Sequence, residues 1–309
     1  MLPSPPRRAP WQLSYLALAA IWGCSFWWMK VGLSVLTPIQ VAAARVVLGF
    51  AVLLTASKVT STPLPRGRAT WGHLAVVGAG MTAIPFTLIS FGETKLSSVL
   101  AGLINSLVPV ATLLMVVFAF REERPDAERT AGVALGFGGV LVVLEAWRGV
   151  PGGELVGVVS CLGAVACYGF CFPYVRRFLQ PTGLRPMQLA TGQLATGAAV
   201  GLLLLIISQL AGAPFPTAWP SWGVLGALAG LGVLGSGLAY VLNFAIIGAA
   251  GPTVASTVTY VVPIFATIAG VVFLHEQITW AQPVGAGIIL LGVAMAQGRL
   301  RPKRRPTAP

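Results

Sequence analysis

The chain has little charge. Only 9% of its 309 residues are Asp, Glu, Lys or Arg, against about 25% in ordinary soluble domains. With 56% hydrophobic residues, a water-soluble fold of this length could not cover itself. Acids are scarcest: Glu93, Glu122, Glu123, Asp126, Glu128, Glu145, Glu154 and Glu276 are all there are. Each falls in a loop or near the end of an apolar run, so no midplane carboxylate offers itself as a proton relay. The only histidines, His73 and His275, stand at opposite edges of the expected membrane and cannot share a metal. The four cysteines, Cys24, Cys161, Cys167 and Cys171, lie within apolar runs and read as small hydrophobes. Cys167 and Cys171 are one helical turn apart, but no histidine lies nearby to complete a soft metal site. A GxxxxGK[ST] phosphate loop, HExxH and GxSxG are all missing, which removes ATP hydrolysis and the protease and hydrolase templates. The chain is therefore expected to be no enzyme and to hold no cofactor or metal.

What the chain does have is a series of apolar blocks of roughly 17–25 residues, the length that crosses a hydrocarbon core about 30 Å thick. Ten are read, at about 13–33, 39–58, 71–91, 97–119, 130–147, 154–175, 186–208, 221–243, 251–273 and 280–298. The eighth has room to run on to about Ile247. The connections are short, and the tails MLPSPPRRAP and RLRPKRRPTAP are Pro- and Arg-rich, a composition expected to be disordered. The first block follows two arginines, as a signal peptide would. It is long, rich in tryptophan and followed by no small-residue cleavage site, so a retained span is expected.

The net charge of +12 invites a nucleic-acid partner, but orientation in a bilayer explains it better. With both termini cytoplasmic, sixteen of the twenty basic residues face the cytoplasm, among them Arg66, Arg68, Arg121, Arg124, Arg176, Arg177 and the basic tail. Lys30, Lys95 and Arg148 face outward, and Arg45 lies inside a span. That is the positive-inside pattern.

The blocks are written twice. SSVLAGLINSLVPVATLLMVVFAFRE at 97–122 matches GPTVASTVTYVVPIFATIAGVVFLHE at 251–276, with Pro109 against Pro263 and Glu122 against Glu276 at one offset of 154. IWGCSFWWMK at 21–30 matches CYGFCFPYVR at 167–176, with Gly23 against Gly169. Five spans per copy is an odd number, so the copies enter the membrane in opposite directions. The expected architecture is an all-α integral membrane protein of ten helices, in two inverted five-helix repeats spanning residues 1–149 and 150–309.

Pro109 and Pro263 are read as helix kinks. Proline removes one backbone hydrogen bond and frees the carbonyl four residues earlier, here that of Asn105 or Thr259. In lipid such a carbonyl needs a neighbour, a water or a cavity. A polar residue and a freed carbonyl thus coincide once per copy. This suggests a water-lined substrate cavity between the copies, the alternative being packing kinks capped by neighbouring helices. Trp22, Ser25, Phe86, Asn105, Tyr168, Tyr240, Asn243, Thr259 and Tyr260 are the candidate lining, since small-molecule pockets are mostly apolar with a few placed polar groups. Trp27 and Trp28 fit an interfacial aromatic belt. Arg45 lies about 9 Å from the outer end of its span. There it could meet a substrate carboxylate, or snorkel or pair with Glu93 or Glu145; the structural role is the first expectation. The GxxxG patterns at Gly132, Gly197 and Gly226 suggest close helix packing within the chain, with a homodimer as the alternative.

IWGCSF at 21–26, PIQVAAAR at 38–45, the SVLAGLINSLVPV run with its copy ending in Glu276, and the glycine-rich fifth and tenth spans resemble the EamA-type members of the drug/metabolite transporter superfamily. The resemblance covers residues 12–298. It implies a ten-helix inverted repeat in the bacterial inner membrane, exporting small metabolites such as aromatic or other neutral amino acids by alternating access. It also implies a cavity built by the first, third, fourth, sixth, eighth and ninth helices, which singles out Trp22, Phe86, Asn105, Tyr168, Tyr240 and Thr259. The second copy departs from the first where Thr259 stands for Asn105, so a strictly symmetric site is not expected. The competing functions are a facilitative channel and a multidrug-type carrier for amphipathic compounds.

Overall fold

A computed structural model describes residues 11–120, 127–149, 151–216, 219–251, 254–255 and 257–296. Glu122, Glu123, Asp126, Arg121, Arg124 and the basic residues of both tails lie outside them, as do the side chains of Glu128 and Arg129. Among the described residues every regular element is helical. That follows from the composition: in an apolar surrounding a helix satisfies its own backbone. Local signals set where helices begin. Thr37 accepts from Gln40 N while the Gln40 side chain reaches back to Thr37 N, with Pro38 in the first turn. Ser97 and Ser221 cap two later helices with their hydroxyls alone, each satisfying a backbone donor that would otherwise be orphaned.

In chain order the helices are α1 (Trp11–Gly32), α2 (Pro38–Val59), α3 (Arg68–Gly78), α4 (Ile84–Glu93), α5 (Ser98–Asn105), α6 (Val108–Phe118), α7 (Ala127–Val143), α8 (Gly152–Tyr174), α9 (Pro186–Leu210), α10 (Trp222–Ala229), α11 (Ala239–Ala250), α12 (Val258–Leu274) and α13 (Ala281–Ala296). Wide π turns at Ala79–Ala83 and Gly230–Leu238 join α3 to α4 and α10 to α11. Six segments are long and apolar enough to cross a membrane: Pro38–Val59, Arg68–Glu93, Ser98–Phe118, Gly152–Thr182, Pro186–Leu210 and Trp222–Ala250. Thr130–Val143, Val258–Leu274 and Ala281–Ala296 are shorter apolar helices. This is the build of a multi-pass membrane protein.

The two prolines sit differently. The fourth apolar run is broken outright: α5 ends at Asn105, and Pro109 lies in the first turn of α6, where a missing N–H costs nothing. Pro263 lies inside the continuous α12. Just before each proline the backbone tightens at the same register. Ser106 N donates to Leu103 O at 3.1 Å, and Tyr260 N to Thr257 O at 3.0 Å.

The tight helix contacts also come in matched pairs. An added Cβ at Gly23 of α1 would overlap Phe265 of α12, and one at Gly169 of α8 would overlap Ala111 of α6. Gly49 of α2 is seated on Gly232 and Ser236, and Gly197 of α9 on Gly78 and Thr82. Phe265, Gly232 and Ser236 each lie 154 residues after Ala111, Gly78 and Thr82. Two of the GxxxG patterns are explained within the chain: Gly132 meets Gly292 and Ala296 of α13, while Gly201 meets Val46 and Ala43 of α2. Gly226 faces open space, and Gly230 seats the Trp28 ring. Trp28 is therefore wedged between helices, while Trp27 stacks on Phe273 with ring centroids 4.0 Å apart.

Candidate functional site: a central cavity

Residues from both copies enclose a cavity at the centre of the bundle. The first copy contributes Trp22, Ser25, Phe26 and Met29 from α1, Arg45 from α2, Met81 from the first π turn, Phe86 and Ile89 from α4, Asn105 from α5 and Val108 from α6. The second contributes Tyr168 and Phe172 from α8, Tyr240 from α11, and Thr259 and Val262 from α12. Its open volume is about 50 Å³. That holds a few waters but no metabolite, so the lining must move before a solute fits.

Aromatic and polar contacts fix the lining. The Tyr240 hydroxyl donates to the carbonyl of Met81, joining the second copy to the first across the cavity. Trp22 meets Tyr240 edge-on, with centroids 6.1 Å apart at 68°. Arg45 is 4% exposed. Its Nε donates to Ser236 Oγ at 3.1 Å, its Nη2 donates to Gly235 O at 3.0 Å, and its guanidinium lies 3.7 Å from the centroid of the Phe86 ring. A Cβ at Gly235 would stand 2.8 Å from Ser25 Oγ and 3.4 Å from Arg45 Nη2, so the close approach of all three depends on glycine there.

The acid expected beside Arg45 is not in contact with it. Glu145 pairs with Arg148 at 2.8 Å. Glu93 is fully buried, yet neither of its carboxyl oxygens has a hydrogen-bond partner among the described residues. The reason is local. A π turn departs from the regular helical ladder, and the segment Gly230–Leu238 offers Arg45 two neutral oxygens instead.

One end of the bundle is closed by contacts between the copies. The Glu276 carboxylate accepts from Ser98 N at 2.8 Å and Val99 N at 3.0 Å. It thereby caps α5 with a charge-assisted bond at the positive end of the helix. Lys30 Nζ donates to the carbonyls of Glu93 at 2.6 Å and Leu96 at 2.7 Å, satisfying the last turn of α4.

Seven of the nine candidate lining residues meet in this cavity: Trp22, Ser25, Phe86, Asn105, Tyr168, Tyr240 and Thr259. Arg45 joins them. Asn243 is fully buried outside the lining. Tyr260 lies with Pro263 and Ile264 in a side groove of about 300 Å³, because adjacent helical residues point about 100° apart. Sequence reasoning missed Phe26, Met29, Met81, Ile89, Val108, Phe172 and Val262, all apolar except for sulfur. Among the described residues no three His, Cys, Asp or Glu side chains converge to hold a metal.

A multi-pass helical bundle around a central polar-and-aromatic cavity is the architecture of a membrane transporter. The sequence profile of the EamA-like transporter family matches residues 9–145 and again residues 155–297, and the chain belongs to that family. It is 24% identical over 281 residues to an uncharacterized inner membrane transporter, YedA, of Escherichia coli (strain K12), covering 90% of this chain and 88% of that one. It is likewise 24% identical over 279 residues to the protein PecM of Dickeya dadantii (strain 3937), covering 90% of this chain and 89% of that one. A solved structure described as "Crystal structure of protein" aligns with a TM-score of 0.67 at 20% identity, over 94% of this chain and 99% of that chain. That likeness shows a shared fold.

Proposed function

We propose that this membrane transporter exports small metabolites, amino acids among them, from the cytoplasm by alternating access. The observation that carries the reading is the cavity itself, central, with side chains from both copies on its wall. Carriers built from repeats place their site at the repeat interface. The site residues are the seven convergent candidates together with Arg45, and Pro109 and Pro263 mark the segments that flex. We read ten spans in two inverted repeats, 1–149 and 150–309, with both termini cytoplasmic. The double profile match and the paired glycine contacts support the duplication, and the distribution of basic residues supports the orientation. The moving bodies are not the two sequence halves. α1 packs on α11 and α12, and α8 packs on α4 and α6, so each bundle flanking the cavity mixes helices of both copies.

The test is a solute screen in proteoliposomes with amino acids and amphipathic amines. Saturable efflux with counterflow is the expected result. Ohmic single-channel currents without counterflow would replace the carrier by a pore.

A further inference from the structure

Arg45 makes no ion pair with an acid in contact among the described residues; the buried Glu93 acts on it only through space. The arginine side chain is buried at the cavity wall, and both of its hydrogen bonds go to neutral oxygens. The Phe86 face compensates the cation only in part. No Asp or Glu lines the cavity, and the buried carboxyl of Glu93 makes no hydrogen bond to Arg45 or to any other described group. A desolvated arginine with no acid in contact is unfavourable unless something else supplies the negative charge. The way Arg45 is held matters too. Ser236 and Gly235 take the edge formed by Nε and Nη2, and Phe86 holds the plane. The edge formed by Nη1 and the second Nη2 hydrogen carries no bond among the described residues. That edge is the fork that binds the two oxygens of a carboxylate.

We propose that Arg45 is the anion-recognition residue of the cavity, and that the transported solute is a carboxylate on an apolar or aromatic body. This rests on the transport reading above and chooses between its two solute classes. The body would lie against Trp22, Phe26 and Tyr168. The amide oxygen of Asn105, which has no partner among the described residues, would accept from a hydroxyl or amino group. An amino acid is therefore accommodated. An amphipathic amine is not, because its cation would share a low-dielectric space with Arg45 and find no acid.

The experiment uses three solutes with one aromatic body and different head groups: 3-phenylpropionate, phenylalanine and phenethylamine. Each is titrated against the purified full chain in nanodiscs while thermal unfolding is followed, since a ligand that binds the native state raises the midpoint. The acid and the amino acid should raise it, and the amine should not. Arg45→Gln should weaken the response to the acid about tenfold or more, the effect of losing a charge-assisted hydrogen bond. Arg45→Lys should keep part of it. An amine response equal to that of the acid, no response to the acid, or an unchanged acid response in Arg45→Gln would each overturn the proposal. If Arg45→Gln does not fold, the three solutes on the wild-type chain still decide. Efflux of amines but not of carboxylates from proteoliposomes would leave transport standing and remove the anion site. Absence of any saturable efflux would remove transport itself.

Discussion

At the scale of single residues, the cavity depends on a few groups with defined partners. Gly235→Ala places a Cβ 2.8 Å from Ser25 Oγ, which displaces either the serine or the guanidinium next to it. The variant should reach near-normal folded yield yet lose about tenfold in efflux, the size of one charge-assisted contact; Ser25→Ala in the same chain should restore part of it. Efflux in proteoliposomes against yield by size exclusion measures both. Tyr240→Phe removes the hydroxyl that reaches Met81 while keeping the ring against Trp22. It should cost about 1 kcal/mol of stability and alter efflux more than Trp27→Ala, whose ring stacks on Phe273 away from the cavity. The polar and aromatic part of the lining was legible because such residues are conspicuous in an apolar run. The apolar part was not, since Phe172 or Val262 looks like any lipid-facing residue. A signal was nonetheless available in the spacing. Phe26, Met29, Ile89, Phe172 and Val262 each lie three or four residues from a lining residue on the same helix, which places them on one helix face. Met81 lies five before Phe86 and was hidden by the π turn between them. The neutral cradle of Arg45 was illegible for a related reason, because sequence does not announce where a helical ladder widens.

At the scale of elements, the paired prolines should not behave alike. Pro263→Ala restores a donor within α12, where an interior proline costs about 3 kcal/mol in an ordinary helix. Its unfolding midpoint should rise, and its counterflow rate at saturating solute should fall. Pro109→Ala changes a first-turn position of α6 and should leave the midpoint nearly unchanged. Equal shifts in both variants would mean that position within the helix does not decide the effect. The proline pair was readable from the repeat. The outright break at 106–107 was not, because a proline alone does not say whether a helix bends or ends. The contact of Glu276 with α5 offers a second test. Glu276→Gln replaces a charge-assisted cap by a neutral one and should cost about 0.5–2 kcal/mol. It should also speed labelling of a cysteine placed at Val99 by a water-soluble maleimide, in a background lacking the four native cysteines. Unchanged labelling would show that the cap does not hold this end of the bundle closed.

At the scale of the whole molecule, orientation is checked at two exposed positions, Thr182 and Gln277. Single cysteines there should be labelled from opposite sides of the membrane, position 277 from outside and position 182 from the cytoplasm. Labelling from one side would contradict the three spans read between them and end the proposed topology. Six of the apolar runs were legible as membrane-length helices, because length and hydropathy fix them. How the runs pair was not, because glycines at 23, 49, 169 and 197 do not name the helix that fills each notch. In the fold, each of these four glycines is met by a helix of the other copy. Separated, then, each copy would expose backbone-deep clefts shaped for a sister that is absent. A gene divided between residues 149 and 151 should give two products that are degraded when made singly and accumulate together when made in one cell. On the inverted arrangement proposed above, growth of such a protein from a single ancestral copy would have required that copy to recognise itself upside down before the two were ever joined.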